Sequence, residues 1–320
     1  MQHQKVQIHT DNGDIVTAQA PIIVSASRAT DIPAFYCKWF FDRLKKGYAV
    51  WRNPFNGQPS YISFANMRFI VFWSKNPAPL LPYLERLRQN GIGSYIQYTL
   101  NDYVSENFEP NLPSLDERIA TFQKLVNILG AGAVVWRFDP LILSDSVSID
   151  TLLDKISHIA DRLAGYTNKL VFSFADIAYY KKVGRNLEAA GVKYREWDES
   201  TMIEFASRLS QLNNKRWGFQ LATCSEAIPL DNFGIAKNRC IDPDLIARLS
   251  NDDDVLLNFL ASAKTDKGQR KLCGCILSKD IGSYNTCPHG CVYCYANTSP
   301  FSANQNFLKH QSNPFLESII

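Results

Sequence analysis

Three cysteines near the C-terminus, Cys287, Cys291 and Cys294, lie in the stretch Tyr284-Asn285-Thr286-Cys287-Pro288-His289-Gly290-Cys291-Val292-Tyr293-Cys294-Tyr295, a C-x3-C-x2-C spacing. Three thiolates on one short loop can hold three irons of a four-iron cluster, leaving the fourth iron open to a substrate or cofactor. Gly290 would let the backbone wrap closely round such a cluster. Tyr293 falls where its ring could pack on a flat group held at the open iron. His289, inside the loop beside Pro288, is expected outside the ligand set. Zinc is the competing metal, with Cys273 and Cys275 completing a tetrahedral site. The x3 gap and Tyr293 favour iron–sulfur.

Five of the eight cysteines fall between residues 273 and 294. Of the others, Cys37 opens an amphipathic run and reads as a small core residue. Cys224, Cys240, Cys273 and Cys275 have the count for a second, fully ligated iron–sulfur cluster or a structural zinc site. Free thiols suit a reducing compartment. The polar start Met1-Gln2-His3-Gln4-Lys5 and the absence of an apolar run of about 20 residues point to a cytoplasmic protein without a membrane span.

These residues need a scaffold. Near-continuous apolar runs at 22–26, 69–73, 95–100, 133–137, 170–174 and 217–222 predict parallel strands covered on both faces. Helical patterns lie between them: Ile119, Phe122, Leu125, Val126 and Leu129 share a face, as do Leu152, Leu153, Ile156, Ile159 and Leu163. Ser114 and Asp198 are expected N-caps, and Gly91, Gly130 and Gly191 expected stops. A hairpin insertion over Asn56-Gly57 is predicted near 49–64. Repeated βα units predict an α/β fold, a partial or full parallel (β/α) barrel of TIM type, with residues 1–262 as barrel core and 263–320 as a cysteine-rich segment on its mouth. The tail after Asn304 reads as a loosely packed extension.

Polar groups follow each predicted strand: Ser27, Arg28, Thr30 and Asp31, then Ser74 and Lys75, then Thr99 and Asn101, then Arg137 and Asp139, then Asp176, then Cys224 and Glu226. Carboxyl ends of parallel barrel strands are where active sites are built. Arg137 and Asp139 stand out, since an unpaired charge on such a strand end would be costly.

Composition sets limits. The chain has 320 residues, 46% hydrophobic, with 34 basic and 31 acidic residues giving a formal charge of +3. That excludes a disordered or small disulfide-stapled chain and does not support nucleic acid as a partner. No G-x-G-x-x-G, phosphate loop or G-x-S-x-G is present.

The cysteine stretch resembles the radical S-adenosylmethionine (radical SAM) superfamily, whose signature is this spacing with an aromatic before the last cysteine. It looks closest to the spore photoproduct lyase-like branch. Ser27 to Pro33, Phe72 to Pro77, and Glu109-Pro110 onward to Arg137-Phe138-Asp139-Pro140 also resemble that branch, in order. There the cysteines come near the N-terminus; here they come last, so the chain looks circularly permuted. The whole chain also resembles a bacterial family of unknown function with a C-terminal radical SAM-like cysteine motif.

The resemblance implies a 4Fe-4S cluster on Cys287, Cys291 and Cys294, S-adenosylmethionine at the open iron, and reductive cleavage to a 5′-deoxyadenosyl radical that abstracts hydrogen from an unknown substrate. It implies adenine packing for Tyr293 and a carboxylate contact for Arg137. Asp31 and Asn101 are further cofactor-binding candidates, and Arg137, Asp139 and Lys75 catalytic candidates. No Gly-Gly-Glu follows the second strand, so the amino-group contact is unassigned. A reductant such as a flavodoxin or ferredoxin is implied. The lyase likeness points toward a nucleic-acid base, against the weak charge. Two alternatives stand beside this reading. One is a non-catalytic zinc or iron–sulfur barrel protein. The other is a barrel enzyme of another class using Arg137, Asp139 and Asp176 with structural cysteines.

Overall fold

A computed structural model describes residues 3–250 and 253–320. Strands β1 (Gln4–His9) and β2 (Ile15–Ala20) form an antiparallel hairpin. Then come β3 (Ile23–Ala26), β4 (Tyr48–Arg52), β5 (Pro59–Ser63), β6 (Phe69–Ser74), β7 (Gly93–Thr99) and β8 (Val134–Leu141). The remaining strands are β9 (Leu143–Ser144), β10 (Lys169–Phe174), β11 (Tyr194–Arg195), β12 (Gln220–Thr223), β13 (Ile235–Lys237) and β14 (Lys279–Asp280).

Eight strands make one parallel sheet in the order β13-β12-β10-β8-β7-β6-β3-β14. No ladder among the described residues joins β13 to β14, so the sheet has two edges. The full barrel allowed by the sequence is therefore corrected to an open sheet. The edge strands are two and three residues long, too short to close a ring. The predicted hairpin is β4 with β5, and β2 extends it into a four-stranded sheet, β1-β2-β5-β4.

Among the described residues ten α-helices lie between or after these strands, beginning with α1 (Ile32–Phe35), α2 (Cys37–Lys46) and α3 (Leu84–Gln89). Next are α4 (Leu115–Leu129), α5 (Ile149–Leu163), α6 (Lys181–Ala189) and α7 (Glu199–Arg216). The last three are α8 (Pro243–Arg248), α9 (Asp254–Ser262) and α10 (Pro300–Ser312). Ser114 caps α4 in a reciprocal capping box with Glu117, and Asp198 caps α7 through the Thr201 amide. Gly130 ends α4. Asp253 caps α9, while Asp252 lies outside the described residues.

Strand alternation sends side chains to two distinct cores. Val24, Ile70, Phe72, Ile96, Trp136 and Phe172 face the helical layer, where they meet Ile119 and Phe122 of α4, Ile156 of α5 and Phe205 of α7. Ile23, Val71, Tyr95, Val135, Val171 and Ala222 face the other way. That second face is covered by the chain's own later segment, through Ile241, Leu245, Ile246, Leu256 and Ile276.

The expected loose tail is corrected as well. Residues 300–312 form α10, capped by Ser299, with His310 and Ala303 buried and Phe307 packed on the main core. The predicted strand at 217–222 begins later, because Trp217 still closes α7 and Gly218 has a φ of +68°.

Candidate functional site

β14 lies beside β3 in parallel register, Lys279 opposite Val24 and Asp280 opposite Ser25. Asp280 fastens this joint. Its carboxylate accepts from Ser25 Oγ at 2.9 Å, Ser27 Oγ at 2.6 Å, the Arg28 amide at 2.9 Å and the Gly282 amide at 2.9 Å. Gly282 has no room for a side chain, since a Cβ there would stand 1.9 Å from Ser27 Oγ. The cysteine loop follows directly and so starts from the carboxyl edge of the large sheet.

The loop is held on all sides. Asn111 donates from its amide to the His289 carbonyl at 3.3 Å and from Nδ2 to the Pro288 carbonyl at 2.9 Å. Val292 N–H reaches the Phe108 carbonyl at 3.0 Å, and Asn297 Nδ2 reaches the Cys287 carbonyl at 2.7 Å. Gly290 has a φ of +71° and presses against Asn111, the close approach and left-handed turn that only glycine takes without strain. Burial pushes all three thiols up, and the field of the Cys294 sulfur adds to this at both Cys287 and Cys291. Backbone amides counter it, from His289 and Asp31 at Cys287 and from Asn297 and Ala296 at Cys294.

Beside the loop, side chains from four strand ends converge. Asp31 accepts from the Ala34 amide at 2.9 Å, the Lys75 amide at 2.8 Å and Ser74 Oγ at 2.7 Å, and its other contact is His289 Nε2 at 2.8 Å. Burial alone would raise the Asp31 carboxyl; the His289 hydrogen bond and charge, with the Lys75 amide, hold it below the ordinary range. Lys75 Nζ donates to Glu109 Oε1 at 2.7 Å and Tyr293 Oη at 2.8 Å. Asn101 Nδ2 reaches Glu109 Oε1 at 3.1 Å and Tyr293 Oη at 3.0 Å, while its Oδ1 accepts the Asp139 amide at 2.8 Å. Burial would raise the Glu109 carboxyl, and the Lys75 and Arg118 charges hold it below the ordinary range. His289 Nδ1 and Thr30 Oγ1 are buried without a hydrogen-bond partner, and Glu109 Oε2 has only the Arg118 guanidinium at 3.7 Å.

Four of the other five cysteines, Cys224, Cys240, Cys273 and Cys275, meet on the opposite face of the sheet. Cys224 and Cys240 sulfurs are 3.4 Å apart, Cys240 and Cys275 are buried in one apolar cluster, and Cys224 and Cys273 pack against it. Nitrogen donors point at them: Arg137 Nη1 and Asn238 Nδ2 each lie 3.2 Å from Cys240 Sγ, and the Ile241 amide lies 3.3 Å from Cys275 Sγ. The Cys275 hydrogen bond lowers the Cys273 thiol to about 6 against burial.

Of the residues singled out from the sequence, Asp31, Lys75, Asn101 and Tyr293 therefore gather at the triplet loop, with Asp139 at the network's edge. Arg137 turns to the second cysteine group; it is bound by Asp139, by Gln97 Oε1 at 3.2 Å and by Cys240. Tyr293 is buried, its hydroxyl anchored by Lys75, Asn101 and Glu109. Asp176 is exposed and joins neither group. Cys37 is a core residue whose thiol meets the Pro33 carbonyl. His289 is buried and paired.

Sequence reasoning missed Asp280 and the pairing of Glu109. The signal for Glu109 was a lone carboxylate between Phe108 and Pro110, and nothing local ties it to Lys75, thirty-four residues earlier.

Sheet and rim together define an α/β protein with an open parallel sheet and two cysteine groups at its carboxyl side, one on each face. The chain belongs to the family described as a domain of unknown function, DUF1848, whose model matches residues 23–296. Neither the curated proteins nor the solved structures yielded a match. No described helix is long and apolar enough to cross a membrane. Among the described residues, no three His, Cys, Asp or Glu side chains stand ready-made round a metal ion. The cysteine sulfurs are grouped as thiols.

Proposed function

We propose that this chain is a circularly permuted radical SAM enzyme, with Cys287, Cys291 and Cys294 holding a 4Fe-4S cluster that leaves one iron for S-adenosylmethionine. The strand order carries the reading. Started from β14, the sheet runs β14-β3-β6-β7-β8-β10-β12-β13, so the strand just before the cysteine loop takes first place and the others follow in chain order. A βα sheet cut between its first and second units and rejoined through its termini has this order.

The donor chemistry supports this reading. Three thiols lie on one braced loop, backbone amides favour the thiolate at Cys287 and Cys294, and the Lys75 charge does so at Cys291. Buried atoms without partners, His289 Nδ1 and Thr30 Oγ1, sit in the same neighbourhood. The cluster, once reduced, would supply the electron that breaks a carbon–sulfur bond of S-adenosylmethionine.

The chain's own residues do the rest. Asp31 fixes the His289 ring and the Lys75 backbone, and so the shape of the loop. Lys75 and Asn101 hold the Tyr293 hydroxyl, which sets the backbone between Cys291 and Cys294. Glu109 balances Lys75 and Arg118 in the low-dielectric rim.

The test is anaerobic reconstitution with iron and sulfide, reduction, and chromatography of the products. About four irons per triplet and formation of 5′-deoxyadenosine are expected, with the product absent in Cys294→Ala. Iron-loaded, reduced protein that leaves S-adenosylmethionine intact would overturn the reading.

A further inference from the structure

We propose that Cys224, Cys240, Cys273 and Cys275 form a second metal centre, a single tetrahedral thiolate-bound ion of the zinc class, separate from the triplet. The four sulfurs come from three places in the chain: the ends of β12 and β13, and the segment just before β14. Cys224 and Cys240 sulfurs lie 3.4 Å apart, Cys275 is buried in the same cluster with its sulfur taking the Ile241 amide at 3.3 Å, and Cys273 packs at the edge of that cluster.

Spacing favours a single ion over a second cubane. Zinc–sulfur bonds of about 2.3 Å in a tetrahedron put the sulfurs about 3.8 Å apart. A cubane puts its ligating thiolates on separate irons, well beyond sulfur–sulfur contact. Among the described residues the four sulfurs do not already ring an ion, so binding would draw Cys273 and Cys275 in toward the Cys224–Cys240 pair.

The surroundings suit the charge of such a centre. A dication with four thiolates carries a net charge of −2. Arg137 donates to Cys240 Sγ, and Asn238 and the Ile241 amide donate to two of the sulfurs, as partners of metal-bound thiolates do. Arg28 lies over Trp73, 4.8 Å from the ring centroid, with its Nη2 buried and without a partner. Charge on Cys275 and on the Asp280 carboxylate favours its protonated form against burial. A buried guanidinium needs a counter-charge, and the thiolates would supply it.

The site also gives the fold something it lacks. The segment 241–276 covers the second face of the sheet and then delivers β14, whose ladder is only two residues long. An ion held between Cys224, Cys240 and Cys273-Gly274-Cys275 would pin that segment four residues before β14 begins. Gly274 already packs against Arg239, where a Cβ would lie 2.9 Å from its Cγ.

The experiment uses the full chain carrying Cys287→Ala, Cys291→Ala and Cys294→Ala together, which removes the triplet. Grown with both zinc and iron, it should retain about one zinc per chain and no iron. X-ray absorption at the zinc edge, on this variant and on the unaltered chain, should show four sulfurs at about 2.3 Å. Cys240→Ser in the unaltered chain should lower bound zinc at least tenfold. About four irons with sulfide in the triple variant, a mixed nitrogen–sulfur zinc shell, a Cys224–Cys240 disulfide or metal-free protein would each overturn the proposal. Because the readout does not involve S-adenosylmethionine, zinc without cleavage activity would sink only the enzymatic reading, and activity without zinc only this one.

Discussion

The two cysteine groups share a sheet and a residue type, yet their environments differ. The triplet sits on one short loop, braced by carbonyl-directed hydrogen bonds from Asn111, Asn297 and the Val292 amide. Its side-chain partners are Asp31, bonded to the His289 ring, and an ionic network of Lys75, Glu109 and Arg118. The quartet is drawn from three separated segments, sulfur against sulfur, with nitrogen donors aimed at the sulfurs themselves. A loop rigid in itself suits a centre that must expose a coordination site. A set that depends on distant segments suits a centre that ties the chain together. Arg137 and Asp139 lie between them: Arg137 touches Cys240, Asp139 pairs with Arg137 and is bound through its amide to Asn101, and Asn101 holds Tyr293.

The sharpest break between the groups is expected from Cys291→Ala. It should reduce S-adenosylmethionine cleavage to background and leave quartet zinc unchanged, read by product chromatography and elemental analysis of one preparation. Loss of both metals together would mean that the two groups are one centre.

Asp280→Ala should come next. The carboxylate satisfies four donors at the β14–β3 joint, and hydrogen bonds to a charged group are worth about 1.5–3 kcal/mol each, part of which water would recover. A loss of about 3 kcal/mol in denaturant unfolding is expected, together with slower cluster reconstitution. The triplet starts from this joint, whereas the quartet precedes it, so zinc content should hold. Asn238→Ala tests the quartet from the other side. Removing a donor to a ligating sulfur should weaken zinc roughly tenfold in chelator competition and leave iron loading unchanged.

What the sequence made legible follows the same division. The strands β3, β6, β7, β8 and β10 were readable because burial on both faces forces continuous apolar runs. The capping of α4 and α7 was readable because it is local chemistry. The grouping of Asp31, Lys75 and Asn101 followed from placing strand ends on one rim. β14 was not legible: two residues, Lys279 and Asp280, carry no periodicity, and only the neighbouring β3 makes them a strand. Arg137 was expected at the triplet and lies at the quartet, because strand alternation turns it toward the opposite face from Trp136. The N-terminal hairpin escaped because β1 is mostly exposed and polar and β2 buries only the small side chains of Ala18 and Ala20, so neither carries a strong apolar run.

The smallest effect should come from Ser114→Ala, and it decides how far the triplet's support extends. Ser114 Oγ caps α4 by accepting the Glu117 amide, in a capping box worth about 1 kcal/mol. The loop that precedes it, residues 101–113, carries Glu109, and the Pro113 carbonyl accepts Arg118 Nε at 3.2 Å. If Lys75, Asn101 and Arg118 hold Glu109 on their own, the variant should melt no more than about 2 °C lower, scaling the usual per-residue entropy to a chain of this size, and cleave S-adenosylmethionine at the normal rate. A clear fall in rate at that small cost in stability would mean that the helix start, and not the ionic network, fixes the carboxylate beside Tyr293.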